Sequence, residues 1–393
     1  MDFVIPENKT KGMLEEIITL RRHLHQNPDL SGKEAGTSKI IQEFAKSHSE
    51  VEIVSDLGGA GLALIYSFPE EGPTVMIRCE LDALPIEEPN QFSHRSLKKG
   101  ISHKCGHDGH MAIVAGILPW IKTQAIKKGR IILFFQPAEE TGKGALQVLK
   151  DVKFKALKPD YIFALHNLPG EPLNSIITVE DAFSCTVLSF SIQLTGKQSH
   201  ASEPENGINP AVAISRIITG LNDFRIPDEN NPEFALLTPV YLNMGDKAYG
   251  ISAGKGELHY TIRTRSEEAM EVLKKKILNL VGSICTDEKL KFNIQWFDHF
   301  LATVNHAKCN EIIKEVAIKN DYQLITKPHP FKFGEDFGWF SQHTKAAMFG
   351  LGAGINVPAL HHNDYDFPDE ILQTGIDMFT SIIQKILNSS EEP

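Results

Sequence analysis

The sequence predicts an α/β protein: a mixed, largely parallel sheet flanked by helices and interrupted by a second, smaller module. Two patterns carry this. Apolar runs rich in β-branched and aromatic residues alternate with helical periodicities up to about residue 180, and again after residue 300. Between them the order becomes strand, helix, strand, strand, helix, strand, the ferredoxin-like βαββαβ arrangement. The expected boundaries are 1–180 and 299–393 for the two parts of the larger domain and 181–298 for the insert.

Taken in order, Met13, Leu14, Ile17, Ile18, Leu20 and Leu24 recur near helical spacing, and Pro28 closes that helix. A second helix is expected from Glu34 to Ser47. Val51–Val54, Leu62–Phe68 and Thr74–Cys79 are β-rich runs separated by Gly and Pro, hence strands. Asp82 follows the third run, at a strand end where open α/β sheets gather functional side chains. Met111–Leu118 reads as a buried helix. Ser102–His110, with three histidines, a cysteine and an aspartate, lies at its N-terminal end, where unpaired N–H groups suit a thiolate or an anionic reactant.

Arg130–Phe135 is a continuous apolar strand of the kind buried on both faces. It runs into Gln136-Pro-Ala-Glu-Glu-Thr-Gly142. Tyr161–Leu165 is another strand, running into His166-Asn167. In the insert, Cys185–Thr195, Phe234–Asn243, Glu257–Arg265 and Lys289–Phe297 read as strands. Asn209–Phe224 and Ser266–Ile284 read as helices, with Pro210 suited to the first turn of one and Ser266-Glu-Glu opening the other. A helix over 307–319, a strand at Ala346–Gly350, the pair His361-His362 and a helix from Pro368 to Ile386 complete the chain; Asn388–Pro393 reads as frayed.

With 393 residues, 41% hydrophobic and 23% charged, the chain is long enough for a large core in two domains. A net charge of −10 without a basic tract argues against nucleic acid as the main partner, since phosphate binding needs clustered Lys and Arg. Met1–Lys11 lacks the pattern of a secretory signal, and no run of eighteen apolar residues offers a membrane span. The five cysteines are odd in number and scattered, so a disulfide framework is not expected and a reducing cytoplasm is.

The metal-capable residues at these strand ends and loops are Cys105, His107, Glu139, Glu140, His166 and His361. A turn can aim Cys105 and His107 at one point, and thiolate with imidazole favours zinc or a similar borderline metal. Ser102–His110 alone would equally suit a polar turn capping a core helix, and Glu139-Glu140 alone a solvated acidic turn, which the fully apolar strand before the glutamates and the flanking Pro137 and Gly142 weaken. Glu139 and Glu140 follow a buried strand, and an extended chain would point them apart, one to ligate and one to face substrate. Asp82 and Asp108 are candidates to hold metal-bound imidazoles in the right tautomer, with turn capping as the alternative.

The stretches Arg22-His-Leu-His-Gln-Asn-Pro-Asp-Leu-Ser31, Leu81-Asp-Ala-Leu-Pro-Ile86, Cys105-Gly-His-Asp-Gly-His110 and Gln136-Pro-Ala-Glu-Glu140 come in order along the chain. Ala164-Leu-His-Asn167, Gly196-Lys-Gln-Ser-His-Ala201, Gly334-Glu-Asp-Phe337 and Leu360-His361 with Tyr365-Asp-Phe367 continue the series. Together they resemble the amidohydrolase branch of the dinuclear metallo-aminoacylase and carboxypeptidase family, which includes hippurate hydrolases and auxin–amino-acid conjugate hydrolases. The resemblance implies a catalytic domain interrupted by a lid and dimerisation domain, hence a homodimer or higher homo-oligomer. It also implies two divalent metals per subunit, zinc or manganese, with cobalt or nickel tolerated by the same donors.

By position, the ligands implied are Cys105, His107, Glu140, His166 and His361, with the Cys105 thiolate bridging both ions where sister families use aspartate. His361 rather than His362 is chosen for its spacing to Tyr365 and Phe367. Glu139 is implied as general base, His200 as a donor to the substrate carbonyl across a dimer interface, and Arg263 as the partner of a free carboxylate. Metal coordination lowers the pKa of water to about 7, and Glu139 could take that proton and hand it to the leaving amine.

Gly250-Ile-Ser-Ala253 stands where the family usually has Asn-Val-Ile-Pro, so either substrate recognition or the substrate itself differs. Glu80 replaces a usual Asp. The implied activity is amide hydrolysis of a small-molecule N-acyl amino acid or conjugate. A dipeptidase or an N-acetyl-diaminopimelate-type deacetylase would use the same scaffold. A binding protein without turnover is the reading from a different class, and the presence of the base and all five ligands speaks against it.

Overall fold

The computed structural model describes residues 7–48 and 50–388. The leader reading of Met1–Lys11 and the frayed tail beyond Asn388 bear largely on residues outside these. Two compact units emerge. The first takes the chain up to Phe183, Thr303–Pro328 and everything from Glu335 on; the second takes Ser184–Ala302 and His329–Gly334. The second unit therefore begins and ends a few residues later than the 181–298 of the expectation. It also takes in His329–Gly334, because the Cys185 N–H donates to Phe331 O at 2.9 Å.

The first unit opens with α1 (Glu7–Gln26) and α2 (Ala35–His48), then β1 (Glu52–Leu57), β2 (Gly61–Ser67) and β3 (Glu70–Glu80). It continues through α3 (His107–Ala115), α4 (Ile117–Thr123), β4 (Lys128–Gln136), α5 (Gly144–Lys150), α6 (Val152–Leu157), β5 (Tyr161–Leu168) and β6 (Ile176–Val179). The second unit supplies β7 (Thr186–Thr195), β8 (Ser199–His200), α7 (Ala211–Asn222), β9 (Ala235–Met244), β10 (Ile251–Ser252), β11 (Lys255–Thr264), α8 (Glu267–Asp287) and β12 (Lys291–Phe300). The chain then returns with α9 (Ala307–Lys319), β13 (Leu324–Lys327), α10 (Gly338–Ser341), β14 (Lys345–Gly352) and α11 (Leu372–Leu387).

In the first unit the described strands form one sheet in the order β1-β2-β4-β3-β5-β14-β6-β13. Its centre, β4-β3-β5-β14, is parallel throughout, while β2 and β6 run antiparallel to their inner neighbours. This is the mixed, largely parallel α/β sheet that the sequence predicts. Helices cover both faces, which is why Ile131–Phe135 of β4 and Ile162–Leu165 of β5 are apolar at successive rather than alternate positions. In β4, Ile131, Leu133 and Phe135 join the cluster that includes α3 and α11, whereas Phe134 packs on Phe154 and Phe340. Strands β6 and β13 and helices α5, α6 and α10 were not expected; each has fewer than eight residues, too few to show a period.

The second unit is a four-stranded antiparallel sheet, β12-β7-β11-β9, with the expected βαββαβ order. Burial alternates along β11, so one face takes α7 and α8. The Ser266 hydroxyl accepts from the Ala269 N–H and caps α8. A short β8–β10 ladder pairs His200 with Ile251. No helix among the described residues is long and apolar enough to cross a membrane.

Candidate metal centre

Strand β3 lies between β4 and β5, all three parallel, so their carboxyl ends share one edge of the sheet. Asp82 follows β3, the Glu139–Thr141 turn follows β4, and His166 is near the end of β5. The opening turn of α3 brings His107, with Cys105 just before it. Gly106 between them has φ +100, and a Cβ there would stand 2.6 Å from Asn167 Oδ1; only glycine allows this approach.

Potential ligand atoms converge in five overlapping groups among the described residues, each within 4.8 Å: Cys105, His107 and His166; Cys105, Glu140 and His361; His107, Glu139 and Glu140; Glu80, His107 and His110; and Glu139, Glu335 and Asp336. Cys105 Sγ is 3.5 Å from His166 Nε2, His107 Nε2 is 3.9 Å from Glu140 Oε1, and His361 Nε2 is 3.8 Å from Glu140 Oε2. Ligands of one tetrahedral zinc, each about 2.0–2.3 Å from it, are separated by comparable distances. The fit also shows in what is left over. His107 Nε2 and Glu140 Oε1 are buried without a hydrogen-bond partner. His107 Nδ1 donates to the Asp82 carbonyl at 2.8 Å, and His166 Nδ1 to the Asn167 carbonyl at 2.8 Å. Each bond fixes the proton on Nδ1 and leaves Nε2 to ligate.

Charge points the same way. Burial, then Glu335 and Glu140, drive the Glu139 carboxyl well above its usual range. Burial pushes Glu140 up to about 7 despite the opposing pull of His107. The Cys105 thiol is raised by burial and by the two glutamates. Burial opposes a charged His107, yet the Asp82 hydrogen bond and the carboxylates of Glu80 and Glu140 lift it to about 10. Burial and the neighbouring His110 take His166 down to about 3. Carboxyls and a thiol that resist ionising are thus crowded into a dry site, a condition that divalent cations relieve.

The two glutamates do not diverge as an extended chain would have them. Ala138 turns left-handed at φ 55, and Glu139–Thr141 form one 3-10 turn, so both carboxylates approach His107. Glu34 Oε1 accepts from the Ala138 N–H at 2.8 Å and steadies this turn. Asp82 works through its carbonyl, with Oδ1 3.5 Å from the same His107 nitrogen and Oδ2 accepting from the Glu140 N–H at 3.0 Å. Asp108 departs from the expectation: its Oδ2 takes His25 Nδ1 at 2.8 Å and Arg21 at 3.2 Å. It therefore orients a histidine of α1, not a metal-facing one.

His200 and Arg263 belong to the second unit. His200 Nδ1 accepts from the Ser202 N–H at 3.1 Å, so its Nε2 carries the proton in the neutral ring. Arg263 Nε donates to Lys332 O at 2.7 Å, and among the described residues it has no carboxylate partner. The sequence reading gave no role to Arg78, Glu335 or Asp336. Buried Arg78 donates to Glu80, to Gln136 Oε1 at 2.9 Å and to Asp336 Oδ1 at 2.8 Å, while the Asp336 N–H reaches Glu139 Oε1 at 3.3 Å. The available signal was Gly334-Glu-Asp-Phe337 and a lone arginine within the otherwise apolar run Val75–Cys79.

The chain matches the peptidase family M20/M25/M40 over residues 76–385. It is 29% identical over 381 residues to an N-acetyl-L-cysteine deacetylase of Bacillus subtilis, covering 96% of this chain and 90% of that one. It is 30% identical over 368 residues to an N-acetyldiaminopimelate deacetylase of Anoxybacillus flavithermus, covering 93% and 96%. Its fold is similar to that of a dinuclear metal-binding M20-family peptidase from Bacillus subtilis, with a TM-score of 0.83, 26% identity and coverage of 96% and 99%.

Proposed function

The chain belongs to the peptidase M20/M25/M40 family, and from that premise we infer that it is a metal-dependent hydrolase cleaving the amide bond of N-acyl amino acids or related conjugates. The single observation that carries this is the convergence of Cys105, His107, Glu139, Glu140, His166 and His361, with buried ligand atoms left unpartnered. Relatives named as deacetylases of N-acetyl amino acids support the substrate class.

The reading includes two divalent cations per subunit. Cys105, His107 and His166 would hold one; Cys105, Glu140 and His361 would hold the other, with the thiolate common to both. The donor set suits zinc or manganese, with cobalt and nickel also accommodated. When bound, the cations supply Lewis acidity to a water and to the scissile carbonyl. Glu139 accepts the proton of the attacking water and passes it to the leaving amine. Its turn and the Asp336 N–H keep the carboxylate aimed. His200, with Nδ1 occupied, would offer Nε2–H across a dimer interface to the oxygen that gains charge in the other subunit's site. Arg263 pairs with the substrate carboxylate, without the amide that Gly250 lacks.

The subunits would pair through the second unit. Its edge strand β9 exposes Val240, Tyr241, Leu242 and Met244, and an apolar unpaired edge is a template for another copy. Among the described residues all five cysteines are free and buried, which suits a cytoplasmic compartment.

The test is chelator-sensitive release of amine from a panel of N-acetyl amino acids (N-acetyldiaminopimelate included), N-benzoyl amino acids and dipeptides. Metal-restored turnover on the N-acyl members is expected. Turnover on dipeptides alone would replace the acyl reading with a dipeptidase, and none on any member would leave a binding protein.

A further inference from the structure

His361 differs from the other donors. Its side chain is 52% exposed, whereas Cys105, His107 and His166 are buried, and its backbone is left-handed at φ 65. It sits in the irregular stretch between β14 and α11. A strained residue on an exposed stretch keeps its position only if its surroundings impose it.

What surrounds it is a set of bonds from residues adjacent in sequence to the other donors. Lys104 precedes Cys105: its carbonyl accepts the His361 N–H at 2.8 Å, and its Nζ donates to Tyr365 O at 2.7 Å. Lys104 is fully buried and also pairs with Glu88 and Asn90. Asp108 follows His107, and Arg21 joins it at 3.2 Å to Asp366 and Asp369, each at 2.8 Å. Asn167 follows His166, and its Nδ2 donates to the Tyr365 hydroxyl. The 361–369 stretch is thus tied beside each of the three buried donors.

We propose that Lys104 and Arg21 are positioning residues that clamp the 361–369 stretch and so set the affinity of the cation shared by Cys105, Glu140 and His361. This rests on the dinuclear reading above. Apolar residues of the same volume would fill the space of these buried ions without loss of stability, and often with a gain. What they would lack is the directional bond from Lys104 to the Tyr365 carbonyl and the fork of Arg21 onto Asp366 and Asp369.

The experiment titrates the full-length apoprotein with Zn2+ and counts ions by native mass spectrometry. Wild type is expected to take two, and His361→Ala identifies which ion is the shared one. Lys104→Met is combined with Glu88→Gln, which removes the carboxylate that loses its lysine and leaves an amide beside His25 and the Ser96 N–H. That variant should lose about 10–100-fold in affinity for the same ion while the other keeps its own. Asp369→Asn, a milder cut at a partly exposed position, should weaken the same ion if the double variant does not fold. Equal weakening of both ions, or unchanged binding of both, would overturn the clamp. A wild type that takes fewer than two ions would overturn the dinuclear reading, and the clamp with it.

Discussion

Glu139 shares its surroundings with Glu140, Glu335 and Asp336, and in the proposed mechanism it is the base for the attacking water. Glu139→Gln keeps the shape and removes the proton acceptor, so turnover should fall by about 10²–10⁴-fold. Metal content by elemental analysis should stay at the wild-type level; normal turnover would take the base role from Glu139. A second prediction concerns pH. Burial opposes a charged His25, but Asp108 and Glu88 outweigh it and raise its pKa from 6.5 to about 9. Burial also works against ionised Glu88, yet the bonds from His25 and Lys104 lower it from 4.5 to about 2. The raised imidazole contributes stability that is complete below pH 6.5 and lost as pH rises through 9. The depressed carboxyl contributes above pH 4.5 and loses its share as pH falls through 2. Thermal melts of the apoprotein should therefore show a smaller fall in Tm between pH 6.5 and 9 in His25→Gln than in wild type; equal slopes would exclude this linkage. At this scale the glutamate pair was singled out because it follows an apolar strand directly, whereas Cys105, His107 and His361 lie on loops and were singled out by residue type and by position in the family resemblance. Arg78 and Asp336 were not, because their bond joins positions 258 residues apart. Asp108 was misread because sequence adjacency to His107 says nothing about which histidine its carboxylate meets.

At the scale of elements, the site depends on tight turns at the ends of parallel strands. Gly106 combines φ +100 with a close approach to Asn167, so Gly106→Ala meets both backbone strain and a clash. A loss of about 1–3 kcal/mol is expected in chemical denaturation, together with weaker metal binding. Wild-type stability in that variant would show that the Cys105 loop has slack. Long elements were legible by different signs: α1 from helical spacing, β4 from a continuous apolar run and α8 from its opening Ser266-Glu-Glu. The Glu139–Thr141 turn was not, because Ala at a left-handed position carries no sequence signal; Glu34, from a distant segment, helps hold it. Strand β6 and the edge strand β13 are too short to show alternation; β6 exists through pairing with β14 and β13 through pairing with β6.

For the whole molecule, one unit gathers the candidate metal donors, and the other bears His200, Arg263 and the exposed β9 edge. Placing charge on that edge with Tyr241→Lys and Leu242→Glu should convert dimer to monomer in light scattering. A dimer that persists would move the interface elsewhere. The division into an α/β body and a βαββαβ insert was visible in the order of apolar runs; the participation of His329–Gly334 in the second unit was not, since it follows from pairing beside Cys185 rather than from any local pattern. The measurement closest to the central claim is anomalous diffraction from crystals of the zinc-loaded protein. Two peaks are expected, both about 2.3 Å from Cys105 Sγ, one ligated by His107 and His166 and the other by Glu140 and His361. A single peak, or ions bound away from Cys105, would contradict it.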